Sequence, residues 1–558
     1  MYDRINRTVH TSIRIDRIMD LARSDISRLL HELNSIGIAL SAEKNHRRLL
    51  EMILVKAMEM TNADGGTLYS RKDDDRLKFE IMHTGSLNIH MGGVEGEEIP
   101  FYPVRLYLED GAPNKHNVAA CAVLENKTIN IPDAYTSKEF DFSGTRKFDE
   151  KTGYRSQSFL TVPMVNHENK IIGVLQLINA QDADTGSVKP FSDIDQHLVE
   201  SLASQAAITI TNKSLIDAQK ELFDALIKLI ANAIDEKSPY TAGHCRRVPV
   251  LTNMLANAAS DTKFGPLKEF SMTDEEKYEL DVAAWLHDCG KITTPEYVVD
   301  KATKLETIFD KINLVDIRFE VLKRDAEIAA LKRKLVEYGV DNFTDTSLDR
   351  EIDSLNADRD FIRNCNIGGE TISDEDIKQI DRIAACKWRT PEGKEENLLS
   401  DKEVENLKIG RGTLSYRERE IINNHVAVTI KMLESLPYPK HLKRVPEYAG
   451  GHHEKMDGTG YPNKLKKEEM SIPARMVAIA DVFEALTAKD RPYKKAMSLS
   501  KSLTILGRMK LDNHVDPDLF DVFMWNKVYL RYAKEHLDPE QIDEIDLTKI
   551  PGYTPPPV

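Results

Sequence analysis

Cysteine is scarce: Cys121, Cys245, Cys289, Cys365 and Cys386 are the only five in 558 residues, and none stands at CxxC spacing. An odd, scattered set excludes a disulfide scaffold and fits a reducing compartment. Long apolar runs are also missing. No stretch approaches the roughly 18 residues that cross a bilayer, and Met1 to Asp20 is polar, without the apolar core of a signal peptide. Positive charge is in deficit, with 76 Lys and Arg against 91 Asp and Glu, a net charge of −15. General nucleic-acid binders are usually basic, so long DNA or RNA is an unsuitable partner, while a small anion held by a few local cations and metals is not. These absences predict a cytoplasmic protein with no membrane partner. With 41% hydrophobic and 30% charged residues, the chain has apolar material for more than one core, and its length implies about two to four domains.

Residues 1–44 read as an N-terminal helical segment, and helical spacing continues through Leu49, Leu50, Ile53, Leu54 and Ala57. The pattern changes at Gly65. Gly66 to Ser70 and Leu77 to Ile81 read as short strands, and Ser158 to Val165 and Ile171 to Ile178 flank the polar turn Asn166 to Lys170, a hairpin signal. Helix, strands and helix in this order predict an α+β sensor domain over 45–192. In the connecting helix predicted over 193–237, Ile208, Leu215, Leu222 and Leu229 recur every seventh residue with small Thr211, Ala218 and Ala225 between them. That is a short coiled-coil seam, and it predicts a parallel homodimer.

The remainder reads as an all-α domain in two pieces, 238–305 and 412–545, split by a highly charged, mostly helical insertion over 306–411. Leu348, Ile352, Leu355 and Ile362 mark a stripe in the insertion, and Ser373 is a candidate N-cap. A Pro-rich tail, 546–558, reads as loose.

The chemistry centres on His287-Asp288-Cys289-Gly290-Lys291, which follows the apolar run Val282 to Leu286. The imidazole can bind one metal, the carboxylate can bridge two, and the lysine can hold a phosphate oxygen. His244, His425, the adjacent pair His452-His453, and Asp481 each stand in a distinctive local sequence. Five imidazoles and two carboxylates suit Fe, Mn or another borderline divalent metal better than Mg. Two metals close together lower the pKa of a water between them, and cations nearby stabilise the charge that builds on phosphate oxygens. In Gly451 to Pro462, adjacent imidazoles at a helix–loop junction can grip one metal or reach two, while Gly458 and Gly460 permit backbone angles that other residues resist and Pro462 fixes the exit.

His287-Asp288-x-x-Lys291 and His452-His453-x-x-x-Asp-Gly-x-Gly-Tyr461-Pro462 together resemble the HD-GYP family, a subgroup of HD-domain phosphohydrolases, over about 220–540 without the insertion. The resemblance implies an all-helical domain that hydrolyses cyclic dinucleotides with two or three metals. By position it makes His244, His287, Asp288, His425, His452, His453 and Asp481 metal ligands, with Asp288 bridging. It gives Asp288 and Lys291 catalytic roles and makes Lys291, Arg491 and Lys494 phosphate contacts. Gly460, Tyr461 and Pro462 form the GYP loop, which in the family also docks diguanylate cyclases. Some trinuclear members carry Glu four residues before the first His; Tyr240 stands there in this chain, which implies two metals rather than three. Upstream, Asp149-Glu150-Lys151-Thr152-Gly153 and Val162-Pro163-Met164 resemble the GAF domains of cyclic-nucleotide phosphodiesterases and adenylyl cyclases. That resemblance implies a cyclic mononucleotide or other small ligand near Asp149 and Thr152.

The expected function is therefore hydrolysis of cyclic di-GMP to linear pGpG or GMP, regulated by the GAF domain. The alternatives are preference for another cyclic dinucleotide such as 3′,3′-cGAMP, or an inactive HD-GYP scaffold. The insertion begins near the active site, where it can restrict access or recognise a partner.

Overall fold

A computed structural model describes residues 31, 33–43, 45–237, 243–337, 346–369, 371–489 and 496–557. The chain divides into two units, Met1–Leu222 and Phe223–Val558.

In the first unit, helix α1 (His46–Thr61) starts at Asn45, whose side-chain oxygen accepts the N–H groups of Arg47 and Arg48, and ends at Asn62 in the left-handed region. Its Leu49, Leu50, Ile53, Leu54 and Ala57 are buried, as helical spacing requires. The sheet comprises β1 (Ala63–Arg71), β2 (Arg76–Thr84), β3 (Ile89–Gly92), β4 (Val104–Arg105), β5 (Ile129–Ile131), β6 (Phe159–Val165), β7 (Ile171–Gln181) and β8 (Val188–Lys189). All pairings are antiparallel, in the order β3-β2-β1-β7-β6-β5, with β4 on β2 and β8 on β7. The β6–β7 turn is closed by Asn166, whose side chain accepts the N–H groups of Glu168 and Lys170. α1 lies so close to β1 that a Cβ on Gly66 would sit 2.7 Å from Leu54 Cδ1. Helices α2 (Val118–Glu125) and α3 (Ser143–Thr152) complete the α+β fold.

Helix α4 (Asp193–Lys237) buries Val199, Leu202, Ala203 and Ala206 in the core of the first unit. Near its end, Ile227, Ala231 and Ile234 belong to the core of the second. The heptad residues Ile208, Leu215, Leu222 and Leu229 are exposed, the last two at 62%.

The second unit is helical: α5 (His244–Asp261), α6 (Asp274–Leu286), α7 (Ile312–Glu337), α8 (Thr346–Asn366), α9 (Asp374–Ala384), α10 (Asp401–Leu407), α11 (Tyr416–Glu434), α12 (Val445–Gly450), α13 (Ile472–Thr487), α14 (Leu499–Leu511), α15 (Pro517–Trp525) and α16 (Val528–His536). α5, α6 and α12–α16 share one core, which includes Tyr448, Phe483, Phe523 and Tyr532. The insertion helices α7–α10 have a separate core around Phe319, Ile362, Ile383 and Leu399. At the root of the insertion, Lys301 Nζ lies 2.9 Å from both carboxylate oxygens of Glu418, next to the start of α11.

Two features depart from the sequence-based expectation. The insertion contains a hairpin, β9 (Lys387–Arg389) with β10 (Glu395–Asn397); its strands are almost wholly charged or polar and carry no apolar alternation to announce them. The tail is docked rather than loose: Trp525 Nε1 donates to Thr554 O at 2.7 Å, Lys510 Nζ donates to Gly552 O at 2.8 Å, and Tyr553 packs against the main core. Among the described residues, no helix is long and apolar enough to cross a membrane.

Candidate metal centre

His244, His287, Asp288, His452 and His453 are delivered by helix ends or turns, whereas His425 and Asp481 stand mid-helix on α11 and α13. α6 begins with a capping box, Thr273 with Glu276, and ends at His287. The chain then tightens into the 3-10 turn Cys289–Thr293, which packs on α11. The packing explains Gly290: a Cβ there would fall 2.0 Å from His425 O and 2.7 Å from Thr429 N, and the glycine N–H donates to Thr429 Oγ1 at 2.9 Å. Gly290→Ala should push the turn off α11 and lower stability by about 1–3 kcal/mol, which a denaturant titration would read.

Three imidazoles are oriented in the same way. Nδ1 of His287, His425 and His452 each meets a carbonyl three residues upstream, Ala284 O at 2.7 Å, Ile422 O, and Ala449 O at 2.6 Å. A carbonyl only accepts, so Nδ1 carries the proton and Nε2 keeps its lone pair for a ligand. Those three Nε2 atoms and Asp288 Oδ1 are buried and have no hydrogen-bond partner among the described residues. Buried polar atoms are normally satisfied; four orphaned acceptors in one place are what a site shaped for cations leaves behind.

The groups fall into two clusters. His425, His452 and His453 offer nitrogens within 4.8 Å of one another, as do His244, His287 and Asp481 through two nitrogens and a carboxylate oxygen. Asp288 stands between them. Its Oδ1 is 3.1 Å from His425 Nε2 and 3.8 Å from His452 Nε2, while its Oδ2 is 3.3 Å from His287 Nε2 and 3.5 Å from His244 Nε2. Asp481 Oδ1 lies 3.2 Å from His244 Nε2. The seven residues therefore fit two divalent metals, one per cluster, sharing one carboxylate. His287, Asp288, His425 and His452 form a buried floor; Asp481 and Lys291, with side chains 13% and 20% exposed, stand at the mouth.

Lys291 Nζ donates to Asp288 Oδ2. Burial alone would raise the Asp288 carboxyl, but Lys291, His287 and His244 hold it well below the usual carboxylate range. Burial pushes His452 and His453 down, His453 to about 4, so both imidazoles are neutral and ready to ligate near pH 7.

Glu484 belongs to the site although nothing in the motifs pointed to it. Fully buried, it bonds His244 Nδ1 with Oε2 and accepts from Arg247 Nε through Oε1. Burial would raise its pKa, but His244 and Arg247 bring it down to about 2. A carboxylate behind a ligand imidazole fixes its tautomer and direction. The only sequence signal was its position three residues after Asp481, on the same side of α13. Glu484→Gln should weaken metal binding about 10–100-fold with the helical far-UV signal unchanged, as a metal titration would measure.

The Gly451–Pro462 loop supplies two members of the His425 cluster. His452 and His453 both face the His425 cluster, so the adjacent pair grips one site. Tyr461 stacks on His453 with ring centroids 4.8 Å apart. The Tyr461–Pro462 peptide is cis, and Glu454 accepts the N–H groups of Asn463 and Leu465. Gly458 has φ +80°, as expected of a turn glycine. Gly460 is needed for a different reason: a Cβ there would lie 2.4 Å from Lys455 N.

Arg491, Lys494 and Tyr240 lie outside the described residues. In the first unit, Asp149 is buried and accepts from Ser156 N, Ser156 Oγ and Tyr135 OH, while Thr152 Oγ1 donates to Phe148 O of its own helix. Both side chains are engaged inside the domain.

Residues 45–210 match the GAF domain family and residues 401–519 the HD domain family. The HD match holds His425, His452, His453 and Asp481, while His244 and His287-Asp288 lie before the insertion and outside it. The 3′3′-cGAMP-specific phosphodiesterase 3 of Vibrio cholerae is 24% identical over 322 residues, 57% of this chain and 43% of the relative. The 3′3′-cGAMP-specific phosphodiesterase 1 of the same organism is 44% identical over 82 residues, 15% of this chain and 19% of the relative. A cyclic di-GMP phosphodiesterase of Pseudomonas aeruginosa is 42% identical over 73 residues, 13% of this chain and 17% of the relative. The chain thus spans less than half the length of these curated relatives. These matches show a chain that carries a GAF domain over residues 45–210 and, after it, an HD domain over residues 401–519.

Proposed function

We propose that this chain is a metal-dependent phosphodiesterase that opens cyclic dinucleotides, cyclic di-GMP to linear pGpG or GMP, under control of its GAF domain. The observation that carries the reading is the split of Asp288: one oxygen faces His425 and His452, the other His244 and His287. Bound in the two clusters, a pair of divalent metals, iron or manganese by donor type, supplies an activated water and neutralises charge on the scissile phosphate. The protein's own groups do the rest. Glu484 and the backbone carbonyls lock the imidazoles of His244, His287, His425 and His452, so these four need not reorient during reaction. Lys291, held at the mouth by Asp288, can turn its ammonium to a non-bridging phosphate oxygen when substrate enters. Every ligand position is filled, which argues against a dead scaffold.

Relatives named for both 3′3′-cGAMP and cyclic di-GMP support 3′,3′-cGAMP as the alternative substrate. Chromatographic product analysis with each dinucleotide, on the full metal-loaded chain, decides between them. Conversion of cyclic di-GMP to pGpG or GMP supports the main reading, conversion of cGAMP alone shifts the substrate, and hydrolysis of neither with both metals bound rejects the enzyme.

The exposed heptad residues of α4 support pairing with a second copy, and light scattering of the full chain should give twice its 63.3 kDa. A small ligand in the GAF domain and a diguanylate cyclase at the Gly460-Tyr461-Pro462 loop complete the proposed partners.

A further inference from the structure

The long helix α4 ends by holding two pieces of the metal centre at once. Gly243, the residue before α5, has no side chain to cap that helix. The buried carboxylate of Asp235 takes the role instead: Oδ2 accepts Gly243 N at 3.0 Å and Oδ1 accepts Cys245 N at 3.4 Å. These amides flank His244. A helix start needs such an acceptor for its free N–H groups.

Two residues later, the Lys237 ammonium donates to three carbonyls, Lys291 O at 3.1 Å, Ile292 O at 2.5 Å and Thr294 O at 2.5 Å. It thereby caps the C-terminal end of the 3-10 turn that follows Asp288 and carries Lys291. Residues two apart on a helix point about 200° away from each other. The two contacts therefore leave opposite sides of the last turn of α4, one acceptor and one donor. A twist or unwinding of that turn would loosen the segments bearing His244 and Lys291 together.

We propose that Asp235 and Lys237 are positioning residues that make the last turn of α4 the control point of the site. α4 also contributes to the core of the sensor-bearing unit, so the turn is where a change in the helix can reach the chemistry without any ligand contact of its own. The turnover arm of the test rests on the phosphodiesterase reading; the exchange arm does not.

The test compares full-length wild type, Lys237→Met and Lys237→Arg by amide hydrogen exchange, metal titration and steady-state kinetics on cyclic di-GMP and 3′,3′-cGAMP. In Lys237→Met, exchange of the 289–294 amides should rise about tenfold, with α14–α16 unchanged. Metal affinity should fall and KM rise, each about tenfold. Lys237→Arg, which keeps charged donors for the carbonyls, should restore most of all three. A purely structural lysine would lower melting temperature and leave turn exchange and KM where they were; that result overturns the proposal, as does an equal defect in both variants. Should Lys237→Met fail to fold, Lys237→Gln takes its place and must show the same local exchange increase. A wild type that cleaves no cyclic dinucleotide sinks the phosphodiesterase reading and leaves exchange to judge the clamp. An active wild type with an unaltered Lys237→Met sinks the clamp alone.

Discussion

Asp288→Asn is expected to reduce cyclic dinucleotide turnover by about a thousandfold while the chain keeps its helical far-UV signal. The reason is geometric. Both carboxylate oxygens face histidine nitrogens, one pair on each side, and an amide can offer only one oxygen. The substituted NH2 group would point hydrogens at one cluster, so one cation site loses a ligand and gains a repulsion. The carboxylate charge is also what Lys291 pairs with; without it the ammonium loses its anchor at the mouth. The fold should survive because the helices around Asp288 are held by the large apolar core that includes Tyr448, Phe483 and Phe523. Kinetics with metal analysis by mass spectrometry checks this, and near wild-type turnover would refute the bridging role.

His425→Ala and His244→Ala should each leave one metal per chain instead of two, and each should lower turnover by about a thousandfold. His425 belongs to one cluster and His244 to the other, and among the described residues each cluster offers three candidate ligands besides the shared Asp288. Dropping one of them should cost that site its metal and spare the neighbouring one. The two variants should differ in which ion they lose, a contrast visible in the spectrum of a cobalt-loaded protein. If both kept two metals, or either lost both, the division into two sites would be wrong.

The candidate ligands could be read from the chain because they stand in short, unusual local sequences, and the structure gathers them into two clusters. His287-Asp288, His452-His453 and Asp481 could be picked out singly, the heptad of α4 announced itself by period, and the β6–β7 hairpin by the polar turn between two apolar stretches. What escaped was whatever depends on contact between distant segments. Glu484 is one acid among 91, and only the approach of α5 to α13 brings His244 Nδ1 and Arg247 onto it. Gly460 was expected to supply backbone angles that other residues resist, but its φ is not positive; it and Gly290 are required instead by the nearness of other backbone. The β9–β10 hairpin was invisible because charged strands carry no alternation, and the tail looked loose because its hold on Trp525 and Lys510 is made by backbone carbonyls, which no side-chain pattern reports.

The most direct test is electron paramagnetic resonance of the full chain loaded with Mn(II). If one carboxylate links two cation sites across the His425 and His244 clusters, the spectrum should show an exchange-coupled pair that disappears in Asp288→Asn. Two independent Mn(II) signals in the wild-type protein, or a single ion per chain, would contradict the account.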